Sequence, residues 1–238
     1  MPGIALFVAE AWLGRGVKTL PRSSASVGFF RRWLRRDPEA WFREAILFYR
    51  RIGWWMDWAG LSEEELLREA RREYREHVYG DPELGDPDPS LPFAELDIMA
   101  LDDERAWWED TEADVSAGNQ VYSDLLPVLG RMSRGTVAIQ DVVETWASEE
   151  GPITVEFTAN GIRRTIRPEY HDDWIGPEPF EAFQELLRPT PYRLYTFNTQ
   201  GQDFFCAVLS KSEVRLIREE RGLALKKWTL ATRAPQTP

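Results

Sequence analysis

The segment ITVEFTANGIRRTIR, residues 153–167, leaves a folding chain few options. Two runs of alternating apolar and polar residues flank Asn160-Gly161, a dipeptide that accepts the positive φ angles of a tight two-residue hairpin turn. That turn sets a register. Phe157 faces Arg164 and Val155 faces Ile166, so Ile153, Val155, Phe157, Ile162 and Ile166 share the apolar face. Glu156 falls opposite Thr165 on the other face, diagonal to Arg163 and Arg167. VVETWAS, just upstream, reads as a third strand, which makes a meander.

The surrounding segments extend the pattern. NQVYSDLLPVLGRMSRG reads as a helix that ends near Gly135, with Pro127 marking a kink or a late start. PEPFEAFQELL is a short amphipathic helix, YRLYTFNT and DFFCAVLS form a second hairpin around QGQ, and SEVRLIREERG is a closing helix capped by Ser212. In the N-terminal third, Asp37-Pro38 is a good helix start, and Trp41, Ala45, Phe48, Ile52 and Trp55 recur at helical spacing. A second helix opens on the capping box Ser62/Glu65, carries Leu66, Ala70, Tyr74 and Val78 on one face, and stops at Gly80. SVGFFRRWLRR, at 27–36, reads as a shorter helix before them.

The expected fold is therefore α+β. Residues 1–80 form a helical N-terminal region and 81–93 a Pro/Asp-rich linker. Residues 94–238 form an α+β domain, in which helices cover an antiparallel sheet made of a three-strand meander plus a hairpin.

Charge is distributed unevenly along this layout. Residues 1–80 carry 14 basic and 11 acidic side chains, 81–150 carry 3 and 18, and 151–238 carry 12 and 11. The middle segment thus holds nearly all of the net charge of −11. Residues 15–51 form the opposite pole, at +7. The acid is densest in LDDERAWWEDTEADV, 101–115, where seven carboxylates surround Trp107 and Trp108. Such a segment acts as a solvated surface, a lid, a counterpart neutralised by the +7 arm of the same chain, or a steering face for a basic partner. With Leu101, Trp108 and Val115 seven apart, a helical conformation would bury one tryptophan and expose the other.

Several chemistries are excluded. Two histidines, His77 and His171, cannot make a three-histidine metal site, and HExxH, GxxxxGK and GxSxG are all missing. No acid stands two positions before any of the four lysines, against an ExK nuclease arrangement. Asp110, Glu112 and Asp114 occupy positions one, three and five of a calcium loop, but Val115 and Val121 take the places of its glycine and its bidentate glutamate. The lone Cys206 lies within an apolar strand and reads as a packed small hydrophobe. The basic arm RRWLRRDPEAWFREAILFYRR interleaves arginine and aromatic residues as nucleic-acid or membrane-surface helices do. A core role for its aromatics and the overall negative charge argue against phosphate binding. No apolar run reaches the 18 residues of a bilayer span, and a cytoplasmic location with no cofactor is the expectation.

These observations point to a non-enzymatic acidic binding protein that docks a basic protein, an immunity-type inhibitor of a toxin being one form. Asp102, Asp103, Glu104, Glu109, Asp110, Glu112 and Asp114 would steer the partner, and Trp107 or Trp108 would anchor it. The alternative is a metal-dependent hydrolase built on His171, Asp172 and Asp173, with further ligands supplied from elsewhere in the chain.

Overall fold

The computed structural model describes residues 37–229 apart from 82, 84, 92 and 200, so the expected helix at 27–36 lies outside the described residues. The chain divides into two units, Met1–Leu101 and Asp102–Pro238. The change therefore comes after the Pro/Asp-rich segment rather than within it. The helix that follows that segment packs against the N-terminal helices.

In the first unit, α1 (Pro38–Arg51) starts as its sequence dictates: Asp37 accepts a hydrogen bond from the Glu39 amide, and Pro38 occupies the first helical position. Helix α2 (Glu63–Tyr79) opens on a complete Ser62/Glu65 capping box and closes on Gly80 at φ 68°. Helix α3 (Ala94–Ala100) turns Leu96, Ile98 and Met99 inward. The core is aromatic. Trp41, Phe42, Tyr49 and Tyr74 are fully buried, with the Phe42 and Tyr74 rings edge to face at 6.0 Å. The aromatics at the C-terminal end of the basic arm are thus spent on packing. Of its cations, Arg43 pairs with Glu63, and Arg50 donates to the carbonyls of Ala59 and Leu61.

The second unit contains, in chain order, β1 (Ala106–Asp110), α4 (Val121–Met132), β2 (Ile139–Trp146), β3 (Ile153–Ala159), β4 (Ile162–Ile166), α5 (Glu178–Leu186), β5 (Tyr192–Phe197), β6 (Asp203–Ser210), α6 (Lys211–Leu216) and the two-residue β7 (Lys226–Lys227). The α+β class holds, but the strands form two sheets rather than one: an antiparallel meander β2-β3-β4, and a four-stranded sheet ordered β1-β6-β5-β7. The hairpin register is the one that Asn160-Gly161 requires, with Phe157 opposite Arg164 and Val155 opposite Ile166. Asn160 and Gly161 both take positive φ, and Arg163 donates to Glu156 at 2.8 Å. Ile162 stands on the expected face but is 57% exposed: its cross-strand partner Ala159 is buried, whereas β4 is the outer strand of the meander and exposed along most of its length.

Two local details differ from expectation. Helix α4 begins six residues before Pro127 and continues through it. The closing helix is capped by Ser210, not Ser212, since Glu213 lies three residues after Ser210 and completes a capping box with it. Helix α4 also borrows its cap. Gln120 makes no side-chain cap, and Glu144 on β2 instead accepts from the amides of Tyr122 and Ser123, both at 3.0 Å, and from the Trp146 indole at 2.8 Å. Glu144→Ala should therefore cost the second unit about 1–2 kcal/mol, the usual value of a good N-cap, measured by urea denaturation.

Candidate functional site

The acidic segment is neither helix nor lid. After a turn at 102–105 it runs as β1, the terminal strand of the four-stranded sheet, paired antiparallel to β6. The turn sorts its charges. Asp102, expected on the open face, is buried: its carbonyl accepts from the Arg105 and Ala106 amides and its carboxylate from the Glu104 amide. Folding the turn this way sends Arg105 inward, where it is 3% exposed and donates to Glu213 at 2.7 Å. Asp103 and Glu104 are left exposed on the outside.

Along the strand the carboxylates crowd together. Asp110 lies directly opposite Asp203, and Glu109 is their exposed neighbour. Partial burial, followed by the charges of Asp110 and Asp203, raises the Glu109 carboxyl above its ordinary pKa. Asp203 is raised by burial and by Asp110. Beyond the strand, Asp110 accepts from the Glu112 amide, Gln202 donates to Glu112, and Glu112 and Asp114 remain exposed. Among the described residues, none of Asp103, Glu104, Glu109, Asp110, Glu112, Asp114 and Asp203 takes part in an ion pair.

Strand geometry also separates the two tryptophans, since consecutive residues face opposite sides of a sheet. Trp107 turns to the core, with its ring 5.7 Å from Phe180 and 6.2 Å from Phe204. Trp108 lies on the other side, edge to face with Phe205 at 6.2 Å and half-buried. Of the two expected anchors, Trp107 thus packs in the core, and Trp108 packs on the opposite face of the sheet against Phe205.

The second expected cluster is rearranged. Asp172, at φ 53°, and Asp173 are exposed, and the Asp173 carbonyl accepts from the Ala113 amide. His171 associates instead with Glu169 and Glu178. One ligand atom from each of these three lies within 4.8 Å of the others, and His171 Nε2 is 3.8 Å from a Glu169 oxygen. Neighbouring side chains diverge in extended backbone, whereas residues two apart share a side. The Glu-x-His spacing at 169–171 was therefore a signal available in the sequence. Glu178 carried none, because only the turn into α5 brings it near.

Glu178 also lines a groove of about 510 Å³ between β4, α5 and β7, together with Arg167, Glu181, Arg188, Lys227 and Trp228. Arg193, on the same wall, is consumed structurally: it donates to the carbonyls of Leu187, Thr190 and Arg188 at 2.8–3.1 Å. Cys206 is fully buried and its thiol pKa is pushed up by that burial, consistent with packing and not with nucleophilic chemistry. Among the described residues no helix is long and apolar enough to cross a membrane. No protein-family model, curated protein or solved structure matches the chain.

Proposed function

We propose that the protein is a non-enzymatic binding protein whose β1 edge docks a basic protein partner. The observation that carries this reading is the Asp110–Asp203 cross-strand pair with Glu109 beside it. Like charges directly opposite one another destabilise a sheet, and no described cation offsets them. A partner's Lys or Arg side chains would relieve that repulsion on binding. Asp103, Glu104, Glu109, Glu112 and Asp114 form the exposed rim that steers approach, and Trp108 is the apolar element beside it. A terminal strand is also suited to accept an extended segment by strand addition, which places acid and tryptophan along one docking line. An immunity-type inhibitor of a toxin with a basic face is the specific form of this reading.

The test is capture through a photo-crosslinking residue at position 108, with position 163 on the meander as control. A basic partner should be trapped at 108 only. Its association rate should fall about tenfold or more as salt rises from low to high ionic strength, and should fall similarly in the Glu109→Gln/Asp110→Asn double variant. Recovery of only neutral or acidic partners, or binding indifferent to salt, would overturn the proposal.

A further inference from the structure

We infer that Glu169, His171 and Glu178 form a site for a divalent transition-metal ion of the zinc class. The loop between β4 and α5 presents Glu169 and His171 on one side, and the first residue of α5 supplies Glu178. One imidazole nitrogen and two carboxylates are a donor set that zinc accepts and that magnesium and calcium, which prefer oxygen alone, do not favour. In tetrahedral zinc sites, bonds of about 2.0–2.1 Å put ligand atoms roughly 3.4 Å apart. The 3.8 Å between His171 Nε2 and Glu169 is close to that spacing, and the third donor lies within 4.8 Å of both. Side-chain rotation closes the remainder.

A second observation points to a ligand independently of this spacing. Glu178 Oε2 is shut off from solvent, and no hydrogen-bond donor reaches it among the described residues. A buried carboxylate oxygen left without a partner is costly, and a bound cation removes that cost. The backbone makes room for the oxygen at this spot: a Cβ on residue 176 would collide with Glu178 Oε2, so only glycine lets the carboxylate occupy it. Gly176 is itself held in place by its amide, which donates to the buried Tyr122 hydroxyl at 3.2 Å. Three protein ligands leave a fourth coordination position open. Of the three ligands, Glu178 also lines the groove that bears Arg167 and Lys227.

The loop that carries this site is hydrogen-bonded to residues 111–113 of the acidic segment, but none of its three ligands is a docking residue, and its test, metal binding by the chain alone, is independent of any partner. The full-length chain, stripped with a chelator, is titrated with Zn²⁺ by calorimetry, and with Co²⁺ by visible absorption. One ion should bind per chain at micromolar or tighter affinity. The Co²⁺ complex should show the intense visible bands of a four- or five-coordinate site, and the ring-nitrogen NMR signals of His171 should shift while those of His77 do not. His171→Ala and the near-isosteric Glu178→Gln should each weaken binding at least a hundredfold, whereas Asp172→Asn and Asp173→Asn should leave it unchanged. Near-UV circular dichroism verifies that the variants are folded. Absence of binding below about 100 µM, or binding that survives in the folded Glu178→Gln variant, would overturn the assignment.

Discussion

Glu213→Ala should cost the second unit about 3–5 kcal/mol, the penalty for removing one partner of a buried ion pair. One Glu213 oxygen accepts from Arg105 at 2.7 Å and from Arg134 at 3.0 Å, while the other accepts from the Ser210 amide at 2.7 Å. Arg105 is the decisive group, because its guanidinium is buried and burial already pulls its pKa down against the support of Glu213. Without the carboxylate, that charge stays in the interior with much of its compensation gone, and α6 also loses its capping box. Glu213→Gln preserves the cap geometry and so separates the two contributions: most of the loss should persist. Adding Arg105→Met to Glu213→Gln should recover a substantial part of it, since the buried charge is then removed. Hydrogen exchange at the β1 and β6 amides reads this unit directly, and a loss below about 1 kcal/mol would show that the pair contributes no more than a surface bridge. The pH dependence follows in sign. Burial raises the Glu213 carboxyl, but the Ser210 hydrogen bonds and the two arginines outweigh it, so the net pKa is lowered. The stabilisation is present above the ordinary glutamate range and fades as pH falls through the lowered value.

This ion pair shows where the sequence was legible and where it was not. The 153–167 hairpin could be read with its register because turn chemistry and period-two alternation are local. The starts of α1 and α2 could be read because a cap lies within three residues of what it caps. By contrast, LDDERAWWEDTEADV was expected to be a surface or a lid, with a helix as one possibility, and it is in part a strand. The residues that make it so, Asp203 to Ala207, lie almost a hundred positions away. Its charge was legible as charge, but its sorting was not: nothing near Arg105 marks it as the partner of Glu213, or Asp102 as a buried turn residue. The candidate metal ligands divide in the same way, with Glu169 and His171 recognisable by spacing and Glu178 contributed by the fold.

Asp97→Asn should stabilise the first unit by about 2–4 kcal/mol at pH 8, a rare case of a core substitution that improves stability. Asp97 lies on α3, is 9% exposed, and has its pKa raised by burial to about 7. Among the described residues no cation compensates it. Its neighbours are the phenols of Tyr74 and Tyr79, whose own pKa values are pushed up by burial and by the Asp97 charge. In the unfolded chain the same carboxyl titrates near 3.8. Between these two values the folded state holds a proton that the unfolded state has released, so stability declines as pH rises from about 4 to about 7 and levels off above. Asparagine has nearly the same shape and carries no charge, so the variant should match the wild type at pH 4, lose the declining slope, and differ most above pH 7. The adjacent buried acid is the internal control. Glu95 accepts from the Tyr49 hydroxyl at 2.9 Å, so Glu95→Ala should destabilise by removing that buried hydrogen bond where Asp97→Asn stabilises. Urea melts of the intact chain at pH 4, 6 and 8, followed through hydrogen exchange of the α1–α3 amides, would decide it. An Asp97→Asn variant that keeps the wild-type slope, or gains nothing at pH 8, would mean that water or a cation reaches this carboxyl in solution.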